Sequence, residues 1–169
     1  APRIDLHLNQ HLCDKEMTDQ AKTQIDERKS AMRILSLMSA EVLEQKYDSF
    51  DQKPDWTFAR KPETGLVMTR GRIGGGGAPF NLGELTVTRA AVTLETGETG
   101  HAYCHGRNQR KAAIAAFFDA AFQSAALKSR VEAEVLAPCA KDLEASDLKA
   151  KQEAAATKVD FFTMTRGDD

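Results

Sequence analysis

The sequence predicts an α+β fold, with N-terminal helices, an antiparallel sheet of about four strands and a C-terminal helical pair. Two observations carry that prediction. Runs rich in Thr, Val and Leu, separated by Gly and Pro turn signals, are confined to the middle of the chain, between Trp56 and Arg107. On both sides of that stretch, apolar residues recur at three- and four-residue spacing among good helix formers.

The chain has 169 residues, enough for one domain with an ordinary core, and residues 26–169 are expected to form it. Residues 1–25 read as a flexible N-terminal extension. Met17 would serve as a natural start, so residues 1–16 are expected to be an addition ahead of it. A formal net charge of −2 argues against a sequence-independent nucleic-acid binder, which needs a basic excess. Cys13, Cys104 and Cys139 are far apart and lack any CxxC spacing, so neither a disulfide framework nor a zinc site follows. The expected home is a reducing cytoplasm. No stretch reads as a membrane span or a signal peptide.

Taken in order, Asp26 to about Tyr47 is helical. Ala31, Ile34, Leu35 and Met38 lay an apolar stripe on one face, read as a core face with partner docking as its rival. Ser39 caps a second short helix. Asp48 to Pro54 is a linker. Trp56 to Arg60 is a first strand, Pro62 to Gly65 a turn, and Leu66 to Arg70 a second strand. Glu84 to Glu95 is a third, with an uneven phase. Either both its faces are covered or a bulge near Arg89 and Ala90 shifts the register. A hairpin turn at Thr96-Gly97-Glu98 leads into the last strand, Thr99 to Arg107. Asn108 caps the longest helical run, Gln109 to Leu136. Pro138 is expected to interrupt it, with a solvated helix from Lys141 to about Lys158 beyond. Phe161 and Phe162 are expected to dock on the sheet or on another subunit.

The run Gly74 to Gly77 could cradle an anion, since consecutive glycines let backbone N–H groups converge. Arg70, Arg72 and Arg89 would supply charge, and Asn81 and Glu84 would orient the loop. The run lacks the Gly-Lys-Ser/Thr of a P-loop, and Pro79 interrupts where a dinucleotide-binding helix would begin. A flexible, partner-contacting loop is the plainer reading. His101, Tyr103, His105 and Arg107 alternate on one face of the last strand. Strand spacing holds the two histidines too far apart to share a metal ion. That face is expected to be polar and to meet solvent or a partner, with His101 free to act as an acid or base. Cys104 points the other way, as a small buried hydrophobe. The candidate anion- or partner-binding residues are therefore Arg70, Arg72, Gly74, Gly75, Gly77, Asn81, Glu84, Arg89, His101 and Arg107. No catalytic residue is assigned.

The blocks PETGLVMTRGRIGGGGAPFNLGELTVTRAAV, GHAY, GR-x-x-R and KVDFFTM occur in that order. Together they resemble the G subunit of the bacterial carbon–phosphorus lyase core complex, the PhnG family, from about Asp26 to Gly167. The chain departs from the family's usual residues at Gly76, Asn108 and His105, the last weakening any catalytic role there. The resemblance implies a subunit that packs against the I subunit and works with the H, J and L subunits. With H, I and L it would support formation of α-D-ribose 1-methylphosphonate 5-triphosphate from MgATP and methylphosphonate, releasing adenine. No cofactor is expected on this chain alone. The iron–sulfur cluster and S-adenosylmethionine belong to the J subunit. The rival readings are a stand-alone enzyme for a phosphorylated ligand and a chaperone of the I subunit. Self-association of the isolated chain is left open.

Overall fold

The computed structural model of the protein describes residues 6–72 and 77–156, with side chains from residue 22 onward except Ala154. The expectations for residues 1–5, for Gly74 and Gly75, and for Phe161 and Phe162 lie outside these residues. The elements run α1 (Leu6–Leu37), α2 (Ala40–Ser49), β1 (Trp56–Gly71), β2 (Phe80–Leu94), β3 (Thr99–His105) and α3 (Gln109–Gln123). The short α4 (Lys128–Arg130), a π-helical turn (Val131–Leu136) and α5 (Ala137–Ala156) complete the order. α1 is already helical from Leu6, well before the predicted start at Asp26. Helices cover one face of a three-stranded antiparallel sheet of order β1-β2-β3.

α3 occupies the centre. Every residue from Ala112 to Phe122 is buried, as expected of a helix that is apolar all round. Its alanines admit neighbours closely, and its Phe117 and Phe118 meet Tyr47 and Phe50 edge-on, and Phe117 meets Trp56 at a tilt, at 5.1–6.4 Å between ring centres. The stripe of α1 is a core face, as expected: Ala31, Leu35 and Met38 are buried. Both predicted caps form. The Ser39 hydroxyl accepts from the Val42 N–H at 3.3 Å, and the Asn108 side-chain oxygen Oδ1 accepts from the Lys111 N–H at 2.9 Å.

Three predicted boundaries are corrected. The sheet has three strands because Pro62-Glu-Thr-Gly65 is not a turn. β1 runs through it, absorbing extra residues at register shifts between Phe58 and Arg60 and between Arg60 and Glu63. β1 is an edge strand, and Pro62 sits within the second irregularity, where its missing N–H breaks no ladder bond. These bulges also resolve the phase of β2. Its ladder to β3 is unbroken from Val87 to Thr93, and Thr88, Ala90, Val92 and Leu94 all face the core. These bulges lie in β1, opposite the span from Val92 to Arg89, and not within β2 at Arg89 and Ala90. Gly97, with φ +102°, makes the β2–β3 turn as expected.

The last correction concerns the C-terminal helices. α3 stops at Gln123, where the Ser124 N–H turns back to the Ala121 carbonyl, and not at Pro138. Pro138 lies inside α5, immediately after the π-helical turn. There the Ala137 N–H bonds the Glu132 carbonyl five residues back, and the widened turn makes room for the proline ring. α5 itself is largely exposed, including Leu148, as its composition predicts.

Candidate functional site

The candidate residues fall into two groups. At one end of the sheet, β1 and β2 continue beyond β3 as a two-stranded ribbon. β3 pairs with β2 only from Val87 inward, whereas β1 pairs with β2 out to Gly71 and Phe80. Arg70, paired with Asn81, and the exposed Arg72 lie at the far end of the ribbon, and Gly77 is exposed. Glu84 lies opposite Met68, partway along the ribbon. Arg89 is eight residues from Asn81 along β2, about 25 Å at strand spacing. The tip arginines and Arg89 therefore do not converge on one small anion.

The second group lies on the sheet face opposite α3. Arg89 stands between Glu63 on β1 and Tyr103 on β3, its partners across the ladders. Its Nε donates to the Glu63 carboxylate at 2.8 Å, and Arg60 approaches the same oxygen at 3.6 Å. Contact with the Tyr103 hydroxyl, then with Glu63, raises the Arg89 guanidinium above its ordinary range. His101 pairs with Ala91, one step along this face. Arg60, Arg89, His101 and Tyr103 thus line a shallow cavity of about 270 Å³. Arg107 follows the end of β3 and is exposed.

Arg89 and His101 are legible in the sequence, whereas Arg60 and Glu63 are not singled out there as their neighbours. Tyr103 is legible as an alternate-position partner of His101. The β1 pair is not, because Pro62-Glu-Thr-Gly65 reads as a turn from local residues. Cys104 points into the core as expected, 1% exposed, and burial pushes its thiol above the ordinary range. Among the described residues, no group of three or more His, Cys, Asp or Glu is arranged to hold a metal ion.

His101 is also held from the inner side. Its backbone N–H donates to Asp119 Oδ2 at 2.8 Å, and Asp119 is fully buried. Arg28 of α1 closes the arrangement, donating Nε and Nη2 to the two carboxylate oxygens at 2.9 and 2.7 Å. The Asp119 hydrogen bond raises the Arg28 guanidinium further, outweighing the effect of burial.

The ribbon is unusually apolar for so exposed an element. Leu66, Met68 and Leu82 are 61%, 53% and 62% exposed, and Phe80, Val67 and Leu85 are exposed with them. Register puts Leu66 and Met68 on one face and Val67 and Leu85 on the other. Apolar side chains therefore stand bare on both sides of two strands, with no third strand beside them among the described residues. An isolated ribbon of this kind is marginally stable in water. A contiguous apolar surface marks a site of association.

No helix among the described residues is long and apolar enough to cross a membrane. The model of the family described as phosphonate metabolism protein PhnG matches residues 26–167. The chain is also 50% identical, over 157 residues, to a curated protein of Rhizobium meliloti (strain 1021). That protein is named alpha-D-ribose 1-methylphosphonate 5-triphosphate synthase subunit PhnG. The match covers 90% of this chain and all of the relative. This chain belongs to the PhnG family of phosphonate metabolism proteins.

Proposed function

We propose that the chain is a subunit of α-D-ribose 1-methylphosphonate 5-triphosphate synthase, within the carbon–phosphorus lyase system of phosphonate catabolism. With the H, I and L subunits it supports the reaction in which a methylphosphonate oxygen replaces adenine at the ribose C1 of MgATP. The products are the ribose phosphonate triphosphate and free adenine. The chain does not catalyse this alone. The later carbon–phosphorus cleavage, with its iron–sulfur cluster and S-adenosylmethionine, belongs to the J subunit.

The observation that carries this reading is the bare β1–β2 ribbon. Six large apolar side chains, Leu66, Val67, Met68, Phe80, Leu82 and Leu85, extend beyond the sheet on a chain whose own core is complete without them. Covering them removes apolar surface from water, and the I subunit is the partner assigned to it. The arginines at the tip and on the outer sheet face position the partner's active site and lend donors to its anionic ligand. The test is adenine release from MgATP and methylphosphonate by purified H, I and L, with and without this chain. Release that requires the chain supports the proposal, and release unaffected by its omission refutes it.

A further inference from the structure

We propose that the cleft between α1 and the outer edge of β3 binds a phosphorus oxyanion: a phosphonate, or the terminal phosphates of a nucleotide. The argument begins with which backbone groups of β3 face outward. The Leu94 N–H bonds the Glu98 carbonyl and the Gly106 N–H bonds the Thr86 carbonyl. In an antiparallel ladder this alternation turns the even-numbered residues of β3 toward β2. Thr99, His101 and Tyr103 therefore direct their backbone groups outward, on the side of α1.

Two of these outward groups are occupied. Gln123 Nε2 donates to the Thr99 carbonyl at 2.8 Å, and the His101 N–H is taken by Asp119. At His101 the edge thus already holds an anion, clamped between a backbone N–H and the Arg28 guanidinium. The next outward donor, the Tyr103 N–H, has no protein partner among the described residues. Just beyond Arg28 on α1, Lys29 and Arg33 line a cavity of about 320 Å³ together with Tyr103. The arrangement that captures Asp119 is repeated there without a protein carboxylate between strand and helix.

The chemistry of the cleft selects a compact dianion. Among the described residues, Lys29 and Arg33 are held only by surface carboxylates, Asp26 at 3.1 Å and Asp147 at 3.5 Å. Such pairs contribute little in water and yield readily to a stronger acceptor. Met32, Leu35 and Ala115 give the cleft an apolar floor, which strengthens a charge-assisted hydrogen bond made above it. Cys104 beneath adds no competing charge, because burial keeps its thiol protonated. The volume is at the lower end of small-molecule sites, suited to one phosphate or phosphonate group with a modest substituent.

Choosing a phosphorus oxyanion over other anions rests on the proposed synthase role; the donor geometry does not. The experiment is titration of the ¹⁵N-labelled full chain with methylphosphonate and, separately, inorganic triphosphate, at ionic strength matched with sodium chloride. The expected result is a saturable shift of the Tyr103 amide, weakened about tenfold by Arg33→Ala and partly restored by Arg33→Lys. The spectrum of each variant reports its fold. Saturation by methylphosphonate assigns the phosphonate as ligand, and saturation by triphosphate assigns the nucleotide. An amide that moves with neither, or an Arg33→Ala chain that binds as the parent does, overturns the proposal. No partner subunit is present, so failure here leaves the synthase role standing, and failure of the synthase assay leaves this site standing.

Discussion

Arg28 and Asp119 are 91 positions apart in the chain, yet the guanidinium of one grips both carboxylate oxygens of the other. The same carboxylate accepts the His101 N–H. One buried side chain thus ties α1, α3 and the edge of β3 together, and removing either charged partner leaves the other unsatisfied. Asp119→Ala is expected to destabilise the fold by about 3 kcal/mol, at the low end for a broken buried pair because Arg28 retains some solvent. Asp119→Asn keeps an acceptor for His101 and should recover part of this. Urea unfolding followed by circular dichroism measures both, and a midpoint unchanged in Asp119→Ala contradicts the tie.

Gly100 marks the place where β3 runs closest to α3. A Cβ there would lie 2.1 Å from the Ala116 carbonyl oxygen and 2.3 Å from the Ala120 nitrogen, both backbone atoms that cannot step aside. Gly100→Ala should therefore cost at least about 3 kcal/mol by forcing strand and helix apart. The expected outcome is a lowered melting temperature or recovery in inclusion bodies. A variant that melts with the parent would show that the contact yields.

Burial raises the thiols of Cys104 and Cys139. An unfolded thiol titrates near about pH 8.5. Above that pH the unfolded chain sheds protons that the folded chain retains, so stability is fully present below it and falls as pH rises. Replacing Cys13 with Ser and comparing Cys104→Ala with its parent isolates one contribution. The parent should lose stability more steeply between pH 8 and pH 10. Parallel curves would mean that Cys104 ionises freely in the folded state.

Arg89 lies on an exposed face, and its ion pair with Glu63 is also exposed. Arg89→Ala should leave the unfolding midpoint essentially where it is in the parent. It should leave the complex assembled and reduce phosphonate-dependent adenine release. Turnover equal to that of the parent would remove Arg89 from the site.

Much of this architecture can be read from local residues. Ser39, Asn108 and Gly97 act through neighbours a few positions away, so their roles follow from sequence alone. Pro62 and Pro138 misled for a common reason. Each is accommodated by an irregularity, a β-bulge and a π-helical turn, whose existence depends on the tertiary partner. The close of α3 at Ser124 has no Gly or Pro to announce it and is set by packing. The partnership of Glu63 with Arg89 likewise needed a strand register that no local signal supplies. The bare ribbon is hardest to foresee, because an alternating strand reads the same whether or not anything covers it.

The central claim is that the β1–β2 ribbon is a subunit interface. Co-expression of the I subunit with Met68→Asp and with Leu82→Asp chains, followed by size-exclusion chromatography, tests it most directly. Both side chains are more than half exposed, so each variant should fold and unfold as the parent does. The parent should co-elute with the I subunit, and both variants should elute separately. Variants that co-elute as the parent does would contradict it.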